Sequence, residues 1–131
     1  MKESDLASLF SAYLRKADKL PNVLTKSALI EFKIKKGKTA LHLVRDMQPH
    51  QIPTLLKVED GCIYHKISDM SPGAKPSDAF LICHSPGFIA VMWYKPRQPK
   101  MLYLIRAIKL KQLTKLTELD AIKLCEISIK L

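Results

Sequence analysis

Residues 28–38 read ALIEFKIKKGK. Ala28, Ile30, Phe32 and Ile34 alternate with Leu29, Glu31, Lys33 and Lys35, which is the two-residue period of a strand with one apolar face. Glu31 and Lys33 then project together from the opposite face. A carboxylate can hold Mg²⁺ through oxygen. A neighbouring ammonium can orient or help deprotonate a water and steady the charge that grows on a phosphate during in-line attack. The same residues also describe a solvated edge strand with a weak surface ion pair, and a glutamate two positions before a lysine is common enough that its surroundings have to decide. Because Mg²⁺ takes one or two protein carboxylates, the chemical reading calls for a second acid. Asp18, thirteen residues upstream, is the nearest candidate, where a hairpin could bring it back beside Glu31.

The totals fit one domain over residues 1–131, since 47% apolar residues suffice for a single core. Lysine and arginine number 22 against 12 acidic residues, a net charge of +10 that favours polyanionic partners, nucleic acid or acidic lipid. Cys62, Cys83 and Cys125 are odd in number and lie inside apolar runs, so neither a disulfide framework nor a cysteine zinc site is expected, and a reducing, cytoplasmic compartment fits. MKESDLASLF lacks the apolar core of a signal peptide, and no stretch has the roughly 18 apolar residues that span a bilayer, so no membrane association is expected.

Leu6, Leu9, Phe10, Tyr13 and Leu14 predict an amphipathic helix, capped by Ser4 and ending near Lys16. Residues 22–35 read as one or two strands. In MQPHQIPTLLKVED, Pro49 and Pro53 are compatible with a helix only near its first turn. CIYHKIS, residues 79–83, FIAVMWY and MLYLIRA read as strands, with FIAVMWY, apolar throughout, at the sheet centre. LTELDAIKLCEI closes the chain as a helix, with Thr117 capping and Asp120 reaching back. This order argues for a mixed α/β layer fold with one sheet and helices on its faces.

The ordered set ALIEFKIKKGKTALHL, PHQIPTLL and GCIYHKISD, followed by KPSDAFLI and GFIAVMWYK, resembles the PD-(D/E)XK nucleases, and among them the phage and bacterial Holliday junction resolvases of the RecU type. The likeness runs over residues 18–105. It implies a restriction-endonuclease-like fold, a central mixed β-sheet flanked by α-helices, and a Mg²⁺-dependent endonuclease, with Mn²⁺ as a substitute. Its DNA substrate would be branched or four-way, and the enzyme a homodimer acting in a bacterial or phage-infected cell. Position by position, Glu31 and Lys33 match the (D/E)XK pair, the Phe32 carbonyl joins the metal shell, and Asp18 stands at the spacing of the preceding aspartate. Glu3 is the alternative, as the helix-borne acid of many members. Gln51 matches the glutamine that holds water or phosphate, and His50 beside it either touches phosphate or caps the helix. In a competing placement built on Pro76, Asp78 and Lys95, Trp93 occupies the position of the second acid, so Asp78 is better read as a loop cap.

Lys35, Lys36 and Lys38 surround the proposed site, and Lys95, Arg97 and Lys100 form a second basic group in a proline-broken loop, both suited to phosphate contact. Trp93 and Tyr94 could stack on a base but read better as core or dimer contacts. Lys66, Asp69, His65 and His84 carry no ligand spacing and read as structural. The rival functions are a nucleic-acid-binding protein that has lost cleavage and an accessory interaction module.

Overall fold

The computed structural model describes residues 1–24, 26–66 and 79–131. Its elements are α1 (Glu3–Lys16), β1 (Leu29–Lys36), β2 (Leu41–His42), α2 (Gln51–Asp60), β3 (Cys62–Lys66), β4 (Ala79–Cys83), β5 (Gly87–Tyr94), β6 (Met101–Arg106), β7 (Lys115–Leu116), α3 (Glu118–Leu124) and β8 (Ile127–Lys130). The protein is mixed α/β. A four-stranded mixed sheet runs in the order β1-β5-β6-β8, with β1 parallel to β5 and the other neighbours antiparallel.

β5 is apolar throughout because both of its faces are covered. Phe88, Ala90 and Met92 pack with Leu6 and Phe10 of α1, whereas Ile89, Val91 and Trp93 pack with Leu55 of α2, Leu41, Leu116 and Ala121 of α3. β1 is at the sheet edge, with Ile30, Phe32 and Ile34 against the α1 layer and Phe32 tilted onto Phe10 at 5.5 Å. The parallel return from β1 to β5 passes through α2, which lies against β5 so closely that a Cβ at Gly87 would stand 2.3 Å from the Leu55 carbonyl oxygen. Glu59 near the end of α2 fastens this contact, accepting from the Gly87 amide at 3.2 Å and from Arg106 Nε at 2.8 Å. Pro53 falls in the first turn of α2, where a missing N–H costs no helical bond. The Thr117–Asp120 box opens α3 as the sequence predicts.

Several expectations are corrected. Lys2, not Ser4, is the N-cap of α1, with the Asp5 carboxylate accepting from the Lys2 amide at 2.8 Å. Residues Asn22–Leu24 form a 3-10 turn closed by Leu24 N–H onto the Pro21 carbonyl, so only β1 remains of the one or two strands read over 22–35. The closing helix stops at Leu124, and Ile127–Lys130 becomes β8, because Ile129 alternates into the core beside β6. Strands beyond the main sheet form two small pairs, β2 with β7 and β3 with β4. Cys62 and Cys83 stand opposite one another in the β3–β4 register, with Cα atoms 4.0 Å apart, and are disulfide-bonded; only Cys125 is free. Their separation of 21 residues hid a pairing that the antiparallel register creates. Pro76, Asp78 and Asp69 lie outside the described residues. Among those described, no helix is long and apolar enough to cross a membrane.

Substituting Gly87→Ala is expected to push α2 from β5 and lower stability by about 1–3 kcal/mol, read as a reduced urea midpoint. Thiol titration of the denatured, unreduced protein should count Cys125 alone, and all three cysteines after reduction.

Candidate functional site

β1 carries Glu31 and Lys33 at the open edge of the sheet, and the two side chains meet, with Lys33 Nζ 3.3 Å from Glu31 Oε1. Glu3, in the first turn of α1, reaches the same ammonium at 3.5 Å. Lys33 is only 6% exposed. A lysine ammonium out of water is costly unless paired, and here two carboxylates pair it. The two acidic oxygens therefore lie no further apart than the sum of their distances to one nitrogen.

Gln51, at the head of α2, completes the group. Its Nε2 donates to Glu31 Oε1 at 2.6 Å, while its Oε1 accepts from the Gln48 amide at 2.9 Å, which fixes the orientation of the side chain. Glu31, Gln51, His50 and Thr54 line a cavity of about 180 Å³ over Leu29 and Leu55. His50 is the N-cap residue of α2, its carbonyl accepting from the Thr54 amide at 3.0 Å and hydroxyl at 2.6 Å, while its exposed side chain makes no capping bond.

Backbone direction places the Phe32 carbonyl as well. In a parallel pair the N–H and C=O of alternate residues point to the same side. The amides of Leu29 and Gly37 donate across to Pro86 and Tyr94 at 3.0 Å each, so the odd-numbered residues of β1 face β5. Phe32 then turns its carbonyl to the outer edge, where no strand pairs among the described residues.

Asp18 does not join this cluster. Glu3 begins α1 and Asp18 stands two positions beyond its last residue, and a helix of 14 residues spans about 20 Å. The hairpin needed to return Asp18 to Glu31 is absent from 17–24, which is loop and bend followed by a 3-10 turn. Glu3, not Asp18, is the acid that stands with Glu31 beside the Lys33 ammonium. Among the described residues no three His, Cys, Asp or Glu side chains gather as a metal-ligand group. The acidic donors at the site are thus Glu3 and Glu31, which with the Phe32 carbonyl fit the modest protein share of a Mg²⁺ shell.

The basic residues divide in two. Lys35 is held by Asp46 at 2.9 Å and Lys95 by Glu118, so both are committed to ion pairs rather than standing free for phosphate. Lys36, Lys38 and Arg97 are exposed, and Lys100 is half-buried. Gly37 N–H bonded to the Tyr94 carbonyl draws the KKGK and KPRQPK loops to the same end of the β1/β5 pair. Trp93 is core: its Nε1 donates to the Thr39 carbonyl at 2.8 Å, and its ring tilts against Tyr103. Lys66 ends β3, and His65 rests on Phe80.

Asp46, which sequence reading passed over, holds the β1–β2 corner. The His42 amide beside it, then Lys35 and Arg45, keep its carboxyl far below the usual carboxylate range. Arg106 and the Gly87 amide lower Glu59 in the same way, and the Thr117 amide and hydroxyl lower Asp120. Compared with family models, with curated proteins and with solved structures, the chain finds no match.

Each of these three folded-state values is depressed, so their stabilisation is full above the ordinary carboxylate range near pH 4 and is lost as pH falls through the folded values. Urea midpoints should accordingly hold level from neutrality to about pH 5 and drop below about pH 4. Asp46→Asn should lower stability at pH 7 by about 1–3 kcal/mol and flatten that acid decline.

Proposed function

We propose that the protein is a Mg²⁺-dependent DNA endonuclease with a restriction-endonuclease-like fold, acting on branched DNA in the manner of the Holliday junction resolvases that its sequence resembles. One observation carries the reading: Glu3, Glu31, Lys33 and Gln51, drawn from a helix, an edge strand and a second helix, converge on one ammonium and one amide. The parallel β1/β5 pair bridged by α2 supports the fold assignment, because it sets the acid-lysine strand and the glutamine-bearing helix side by side.

Glu31, Glu3 and the Phe32 carbonyl are the groups that would hold the divalent cation, whose charge offsets that developing on the scissile phosphate. Lys33, held in place by Glu3 and Glu31, would be the donor to the attacking water or the phosphate oxygen. Gln51 fixes Glu31 Oε1 from the α2 side and presents a neutral amide to water. Lys36, Lys38, Arg97 and Lys100 supply phosphate contacts that are salt-dependent and indifferent to sequence. The net charge of +10 suits that role.

A nicking assay on a four-way junction and on linear duplex, with Mg²⁺ and with chelator, tests the proposal. Glu31→Gln and Lys33→Ala should each lower the rate by 100-fold or more on the order-of-magnitude scale of a lost electrostatic catalytic group, with binding retained. Glu3→Gln should weaken cutting in a way that raised Mg²⁺ partly restores, whereas Asp18→Asn should leave the rate unchanged. Binding without metal-dependent cutting in the parent would instead identify a nucleic-acid-binding protein that has lost cleavage. Neither binding nor cutting would point to an interaction module.

A further inference from the structure

β3 and β4 form a two-stranded ribbon outside the main sheet. Its burial is slight: Tyr64 is 67% exposed, Leu81 opposite it 63%, and Phe80 43%. Of seven large apolar side chains exposed among the described residues, these three share the ten residues of one ribbon, a concentration that scattered surface apolars do not explain. A bare two-strand ribbon is marginal in water, yet this one is fastened at its base. The Cys62–Cys83 bond fixes the register, and His84 and Ser85 amides donate to the Gly61 and Val58 carbonyls at 2.9 and 3.0 Å.

We propose that this ribbon is a second nucleic-acid contact, in which Tyr64 and Phe80 stack against unpaired or unstacked bases. The proposal rests on the DNA-binding reading above and adds to it a site that the catalytic cluster does not include. Charge selects the occupant. The described ribbon carries Lys66, exposed, with His65 beside Phe80 and no carboxylate on either strand. A second copy of the chain would bring another +10 against it, while a polynucleotide brings the opposite sign. Tyr64 opposes Leu81 on one face and His65 opposes Phe80 on the other, so each face offers a ring flanked by an apolar or imidazole neighbour. Such rings accept any base, because every base has a π-face, and stacking needs bases that are already free of a duplex. Branch points and single strands supply them.

Distance fits the same strand. α2 separates Gln51 from the base of the ribbon by ten residues, about 15 Å, or roughly four nucleotide steps along a duplex. One bound DNA can thus meet both the acid-lysine edge and the ribbon.

The test uses the full oxidised chain with chelator present, and four-way junctions carrying 2-aminopurine at the branch. The parent should bind with a change in 2-aminopurine fluorescence. A Tyr64→Ser, Phe80→Ser double variant should bind about tenfold or more weakly and lose that change, while Tyr64→Trp should retain it. Urea midpoints equal to the parent's would show that the variant folds. Unchanged affinity and fluorescence in the double variant would overturn the ribbon proposal while leaving Mg²⁺-dependent nicking by the parent as a separate result. Dissociation of a dimer in sedimentation, with DNA affinity intact, would overturn it too and assign the ribbon to self-association. A parent that binds no DNA would remove both readings together.

Discussion

The ammonium of Lys33 governs the arrangement. It is nearly out of solvent, and an amine held there needs opposite charge within a few ångströms. Glu31 comes to it from the same strand and Glu3 from the first turn of α1. Satisfying that one group therefore orients the N-terminal helix against the edge strand, and the apolar packing of Leu6 and Phe10 behind it supplies the stabilisation that makes the pairing affordable. Remove the ion pairs and α1 keeps its apolar face but loses the contact that sets where its first turn ends.

The second constraint is the closeness of α2 to β5. Gly87 has no Cβ because the Leu55 carbonyl fills the space, and Glu59 ties the helix to Gly87 and Arg106 at the same level. With its last turn fixed there, α2 presents Gln51 to Glu31 at its other end. The parallel β1/β5 register, two long-range packing layers and a single helix thus place groups from residues 3, 31, 33 and 51 at one edge. The basic loops leave the opposite end of the same strand pair, so the exposed basic side chains and the Glu31–Lys33 pair lie along one element.

Much of this was legible in the chain. The unbroken apolar run FIAVMWY reports two-sided burial, and β5 is an interior strand accordingly; alternation in ALIEFKIKK sets Ile30, Phe32 and Ile34 against the α1 layer, although the one buried residue of β1 is Lys33 on its polar face. The Thr117–Asp120 box and the position of Pro53 announce helix starts because capping is local chemistry. What failed was long-range. Whether Asp18 or Glu3 reaches Glu31 depends on where a whole helix lies, and no spacing encodes that. Cys62 and Cys83 pair only because two strands meet in one register, and Ile127–Lys130 leaves the helical pattern because β6 offers an edge. Lys35 and Lys95 looked free until the fold brought Asp46 and Glu118 beside them.

The central claim, that Glu3 and Glu31 share one cation-binding edge beside Lys33, is tested most directly by adding Mn²⁺ to isotopically labelled protein and following paramagnetic broadening of the backbone amides. The account predicts the strongest broadening at Glu3, Glu31, Phe32 and Gln51, with Asp18 far weaker. Broadening centred on Asp18, or spread over the surface with no maximum at the β1 edge, would contradict it.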